Sequence, residues 1–102
     1  MDSTIPVSDF RLLTNHGNSL LLIARDPRIR LRDIAVALDI TERRAQRIVG
    51  ELVKTGYLVR EREGRRNFYH VAVHLPLRLP FQQDLDLGSL LSILPPTVTK
   101  EK

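Results

Sequence analysis

The chain of 102 residues contains no cysteine. Disulfide scaffolds, thiol nucleophiles and cysteine-ligated metal sites are therefore excluded. Aromatic residues are only 5% of the total. Phe68 and Tyr57 alone could serve as the stacking platforms that single-stranded nucleic acid needs, which ranks that function last. The longest apolar stretch, "LLLIA" at 20–24, is far shorter than the roughly 20 residues required to span a membrane. The opening "MDSTIPVSDF" has no basic segment leading into an apolar run, so no signal peptide is expected. A soluble, cytoplasmic, nucleoid-associated protein without a membrane partner is the expectation. Gly17, Gly50, Gly56, Gly64 and Gly88 are scattered rather than clustered, which leaves no loop to cradle a phosphate, and no Ser, His and Asp arrangement suggests a nucleophile. His70 and His74 would sit about 13 Å apart in extended structure at roughly 3.3 Å per residue, too far to share a metal ion. No enzyme activity, cofactor or metal is expected.

The length suits one globular domain. Its net charge of +4 is unevenly placed: residues 11–66 hold twelve Arg and Lys54 against seven acidic residues, a local +6, while 1–10 are −2 and 67–102 balance. A basic body between nearly neutral ends is the footprint of a protein with a polyanionic partner.

Thr14 can cap a helix over "NHGNSLLLIARD", ended at Asp26 by Pro27, with Leu20, Leu21 and Ala24 available to a core. "RIRL" at 28–31 reads as a bridge, with a stub of strand as one form. Leu31, Ile34, Ala35 and Leu38 recur at the spacing of one helical face, giving a second helix of about two turns. After Asp39 and Ile40, Thr41 is a natural N-cap and Glu42 favours the positive end of the next helix dipole. That third helix buries Ala45, Ile48, Val49 and Leu52 and stops at Gly56. The period then changes to extended: "YLVRERE" and "NFYHVAV" flank "EGRR", where Gly64 can take positive φ. These are expected to form a hairpin with Tyr69, Val71 and Val73 on one face. Leu87, Leu90, Leu91 and Leu94 suggest a short helix at about 86–94 before Pro95 and Pro96, and the tail "TVTKEK" is expected to fray.

The small Ala35 lets helices two and three approach, and Ile40 plugs the turn between them, which is the physical logic of a helix-turn-helix. Opposite the buried stripe of helix three lie Arg43, Arg47, Gly50 and Lys54, flanked by Arg44 and Gln46. Arginine can bond guanine O6 and N7 bidentately, and glutamine adenine N6 and N7. A merely solvated charged face is the bland alternative.

The segment "LRDIAVALDITERRAQRIVGELVKTGYLVREREGRRNFYHV", residues 31–71, resembles the winged helix-turn-helix transcriptional regulators, in particular small MarR- and ArsR-type proteins. With the first helix the likeness covers 14–73. It implies an α+β fold, a three-helix core with a β-hairpin wing and here a short C-terminal helix. On this reading 1–13 are an N-terminal tail, 14–73 the DNA-binding domain and 74–102 a C-terminal extension. The resemblance implies sequence-specific binding of double-stranded DNA by a regulator, a repressor, with recognition helix 41–55 in the major groove and wing 62–67 on the backbone or minor groove. The residues expected at DNA are Thr41, Arg43, Arg44, Gln46, Arg47 and Lys54 of the helix and Arg62, Arg65, Arg66 and Asn67 of the wing. Arg28, Arg30 and Arg32 alternate before helix two, and Arg30 and Arg32 are candidates for the sugar-phosphate backbone. The chain departs from the family in lacking the long terminal helices of a typical MarR dimer, and without cysteine it cannot sense metal in the ArsR manner. The sequence leaves open which small-molecule effector, if any, acts on it. The C-terminal leucine stripe is either a lid over the core or half of a symmetric contact; a homodimer on paired half-sites is favoured. The alternative function is a winged-helix protein-interaction module of a larger assembly.

Overall fold

Thr14 opens the first helix, α1 (Asn15–Arg25), as its Oγ1 accepts the Gly17 N–H at 3.2 Å. Pro27 prevents continuation, and Asp26 caps the end with extended dihedrals. The computed structural model describes residues 10–94. Residues 1–9 of the expected tail, the stop at Pro95–Pro96 and "TVTKEK" lie outside the described residues.

The face that α1 buries is Ser19, Leu20 and Ile23, rather than Leu20, Leu21 and Ala24, which was the expected set. Leu21 and Ala24 are half-buried. In a helix apolar on several sides, such as "LLLIA", packing partners rather than periodicity choose the inward face. The "RIRL" stretch forms no strand. Asp26 folds it into a turn instead, its Oδ1 accepting from Arg28 N at 3.1 Å and its carbonyl from Ile29 N at 3.0 Å.

The second helix, α2 (Leu31–Leu38), buries Ile34, Ala35 and Leu38. It ends in a left-handed residue, Asp39 at φ 58, with Ile40 N donating to Ala35 O at 3.0 Å and Asp39 N to Val36 O at 3.3 Å. This paired pattern is a Schellman motif, and it folds Ile40 back against the core. Thr41 starts the third helix, α3 (Glu42–Thr55), its Oγ1 accepting from Arg44 N at 3.0 Å. All four expected residues of α3 are buried, and Gly56 ends it at φ 92.

Strand β1 (Leu58–Glu63) pairs antiparallel with β2 (Arg66–Val71), with Leu58 opposite Val71 and Glu63 opposite Arg66. Gly64 at φ 62 is the only one of the two linking residues at positive φ, the signature of a type II′ turn, which matches strand twist. Leu58 and Tyr69 are buried. Val73 lies beyond β2 and is exposed, so it does not share the strand face with Tyr69 and Val71 as expected. Strand pairing stops there because the chain turns: Leu75 N donates to Ala72 O, and Gly88 N returns to Val73 O at 2.9 Å.

The chain comes back as α4 (Leu87–Leu91), capped by Asp86 and shorter than the expected 86–94. Leu87 is buried in the common core and Leu90 packs against it. The lid reading therefore describes these two leucines.

Candidate nucleic-acid interface

The outer face of α3 is built by its own N-cap. Once Thr41 fixes the first turn, the 100° step per residue sends Ala45, Ile48, Val49 and Leu52 inward and leaves Arg43, Arg44, Gln46 and Arg47 exposed. Thr41 and these four line one shallow surface groove. Five expected side chains thus converge on the first two turns of the helix. Lys54 is also exposed and on the same face, but eleven residues beyond Arg43 it lies roughly 16 Å further along the axis, at 1.5 Å per residue.

Glu51 interrupts the positive face and organises it. Its Oε1 accepts from His16 Nε2 of α1 at 2.7 Å, while Oε2 lies 3.7 Å from Arg47 Nε one turn back. The hydrogen bond from His16, aided by the charges of Arg47 and Arg44, holds the Glu51 carboxyl below the usual glutamate range.

In the hairpin every expected wing residue is exposed. Arg62 Nε donates to Gly64 O at 3.3 Å, curling back over the turn. Arg65 has no hydrogen-bonded or ion-paired partner among the described residues. Arg66 is engaged, its Nη2 donating to the carbonyl of Arg28 at 2.9 Å. A cleft with an apolar floor of Ile29, Leu31 and Tyr69 brings Arg30, Arg32, Arg66 and Asn67 to one rim, with Glu42 of the first turn of α3 beside them. The entry to α2, the start of α3 and the turn end of β2 therefore face one another.

Three participants were not singled out from sequence. Arg28 was grouped with its neighbours, but its guanidinium pairs with Glu63 and stands 4.5 Å over the Phe68 ring. His16 carried no motif, because its partner Glu51 is distant in sequence. The Arg47–Glu51 spacing of four residues was the one local sign of that cluster. The two hairpin glutamates acquire roles: Glu63 holds Arg28, and Glu61 Oε2 lies 3.0 Å from His70 Nε2. Among the described residues no group of three or more His, Asp or Glu could hold a metal ion, and no helix is long and apolar enough to cross a membrane.

Three helices, the tight turn at Asp39 and an arginine-bearing two-stranded hairpin define a winged helix-turn-helix protein. A sequence model of the MarR family matches residues 11–66, more than half of the chain, and the protein belongs to that family. It is accordingly a DNA-binding transcriptional regulator in general class, a regulatory rather than an enzymatic family. Comparison with curated proteins and with solved structures finds no significant match.

Proposed function

We propose that the protein is a sequence-specific repressor that lays α3, from its cap Thr41 to Thr55, in the major groove of duplex DNA and sets residues 62–67 on the adjoining backbone or minor groove. The observation that carries this reading is the convergence of Thr41, Arg43, Arg44, Gln46 and Arg47 on the exposed N-terminal half of α3. That half of the second helix is the part that meets base edges in helix-turn-helix docking. Arg43, Gln46 and Arg47 read bases, Arg30 and Arg32 hold phosphates at the entry to α2, and Arg62, Arg65, Arg66 and Asn67 serve the wing. Lys54 reaches a phosphate further along the groove.

A homodimer on two half-sites completes the proposal. Exposed apolar side chains at both ends of the described chain, Phe10, Leu12 and Ile93, lie outside this DNA-facing set and favour it. Repression is the simplest action for a domain that occupies promoter DNA, and a reporter placed under a selected site would fall in expression with the protein present.

The test is selection of bound sequences from random duplexes at physiological salt, followed by titration of the enriched site. Arg47→Ala should narrow the gap between specific and random duplexes. Arg65→Ala should weaken both alike and reduce the slope of log affinity against log salt by roughly 0.9. Failure of the protein to retain any duplex at low salt refutes the reading, and retention of a protein partner at high salt would favour an interaction module.

A further inference from the structure

Two-stranded hairpins are marginal by themselves in water. This one projects its tip away from the core, since Glu61 to Asn67 are all exposed. Something outside the hairpin must hold it.

The fastening is visible at the turn between α1 and α2. Tyr69 N donates to Pro27 O at 3.1 Å, a single ladder-like bond along the free edge of β2. One residue on, Arg28 makes three contacts with the hairpin. Its carbonyl accepts from Arg66, its guanidinium pairs with Glu63, and the same guanidinium covers the face of Phe68. Glu63 and Arg66 are the last directly opposed pair before Gly64, so Arg28 grips the hairpin at its tip end rather than at its base. Arg28 is itself fixed, its amide bonded to the Asp26 carboxylate and its predecessor a proline. Glu63, Arg66 and Phe68 all alternate onto one face of the hairpin, the face turned from the Leu58–Tyr69 core side.

We infer that Arg28, Glu63 and Arg66 are positioning residues that fix the wing for DNA, so that Arg66, although basic, is spent on holding the hairpin while Arg65 and Arg62 carry the charge that meets phosphates. This rests on the DNA-binding reading above. The pair is half-exposed and adds little to global stability. Its effect lies in binding: a wing held in place does not have to be ordered when DNA arrives, and that ordering would otherwise be subtracted from affinity.

Glu63→Gln separates this inference from simple electrostatics, because the two predict opposite signs. Removing a negative charge beside the wing, and releasing Arg28 from its partner, strengthens attraction to phosphates if charge alone matters. If Glu63 positions the wing, the same change weakens binding roughly two- to five-fold. The salt slope stays unchanged because Glu63 contacts no phosphate.

The measurement is fluorescence anisotropy of a labelled duplex with wild type, Glu63→Gln and Arg65→Ala across a salt series. It is paired with hydrogen exchange of the Tyr69 amide in the free protein, where Glu63→Gln should speed exchange while the melting temperature stays near that of wild type. Tighter or equal binding by Glu63→Gln, with wild type binding normally, overturns the positioning role. A wild type that binds no duplex overturns the DNA reading instead, and the Tyr69 exchange then decides the fastening: unchanged exchange refutes it, and faster exchange sustains it.

Discussion

Replacing Leu87 by alanine tests whether the C-terminal segment completes the core of its own chain. Leu87 is 1% exposed, among the most deeply buried large side chains in the described structure. It is anchored by Leu87 N donating to Leu75 O at 2.8 Å and by Asp86 Oδ1 accepting from Ser89 N at 3.0 Å. Those backbone bonds keep the site from collapsing around a smaller side chain, so the penalty combines lost transfer energy with a cavity, about 3 kcal/mol within the usual span of 2–5. At roughly 4–8 °C per kcal/mol for a domain of this size, the melting temperature should fall by about 12–24 °C. Phe81→Ala, at a site 81% exposed, serves as the control and should change stability by no more than about 0.5 kcal/mol. Thermal and urea unfolding at two protein concentrations ten-fold apart give the answer. A loss under about 1 kcal/mol would mean that Leu87 covers nothing essential. A penalty that depends on protein concentration would place Leu87 in a contact between copies.

Three further outcomes follow from local geometry. Among the described residues Ser19 Oγ is buried without a hydrogen-bond partner, so Ser19→Ala should raise stability by about 1 kcal/mol in urea unfolding; a drop would reveal a partner for the hydroxyl. Asp39 holds a left-handed conformation at φ 58 between the two helices of the motif. Asp39→Val should cost about 1–2 kcal/mol while Asp39→Gly stays close to neutral, and equal losses would show that the carboxylate, not the backbone, matters. Because His16 holds Glu51 ionised below the usual glutamate range, this contact supports the fold at neutral pH and its support is lost as pH falls through the depressed value. Glu51→Gln should therefore flatten the acid limb of stability against pH, and an unchanged limb would refute that linkage.

Most of the helix-turn-helix was legible in the chain because its boundaries are chosen locally. Thr14 and Thr41 bond amides three residues ahead, Pro27 blocks the helix before it, and Gly56 and Gly64 take the positive φ that ends a helix or closes a hairpin. Each of these needs only near neighbours, so residue identity and spacing suffice. The buried stripe of α3 was equally plain, since Arg43, Arg44, Arg47, Glu51 and Lys54 occupy the face opposite it. On α1, where apolar residues surround the helix, the inward face was misassigned, and the strand stub at 28–31 proved to be an Asp26-directed turn.

The candidate site divides along the same line. The arginines of α3 and of the hairpin could be named from the sequence, because helical phase and the Gly64 turn dictate their exposure. Which of them remain available for a partner could not be named in that way. Arg66 is occupied by the Arg28 carbonyl, Arg47 shares Glu51 with His16, and Leu87 closes a core begun by α1. These partners are separated by long stretches of chain, and nothing in either local sequence encodes the other. The sequence alone determined the elements, their caps and the sign of the exposed face. Only the tertiary structure decided which charges are committed to each other, because packing, and not spacing, brings distant side chains within bonding distance.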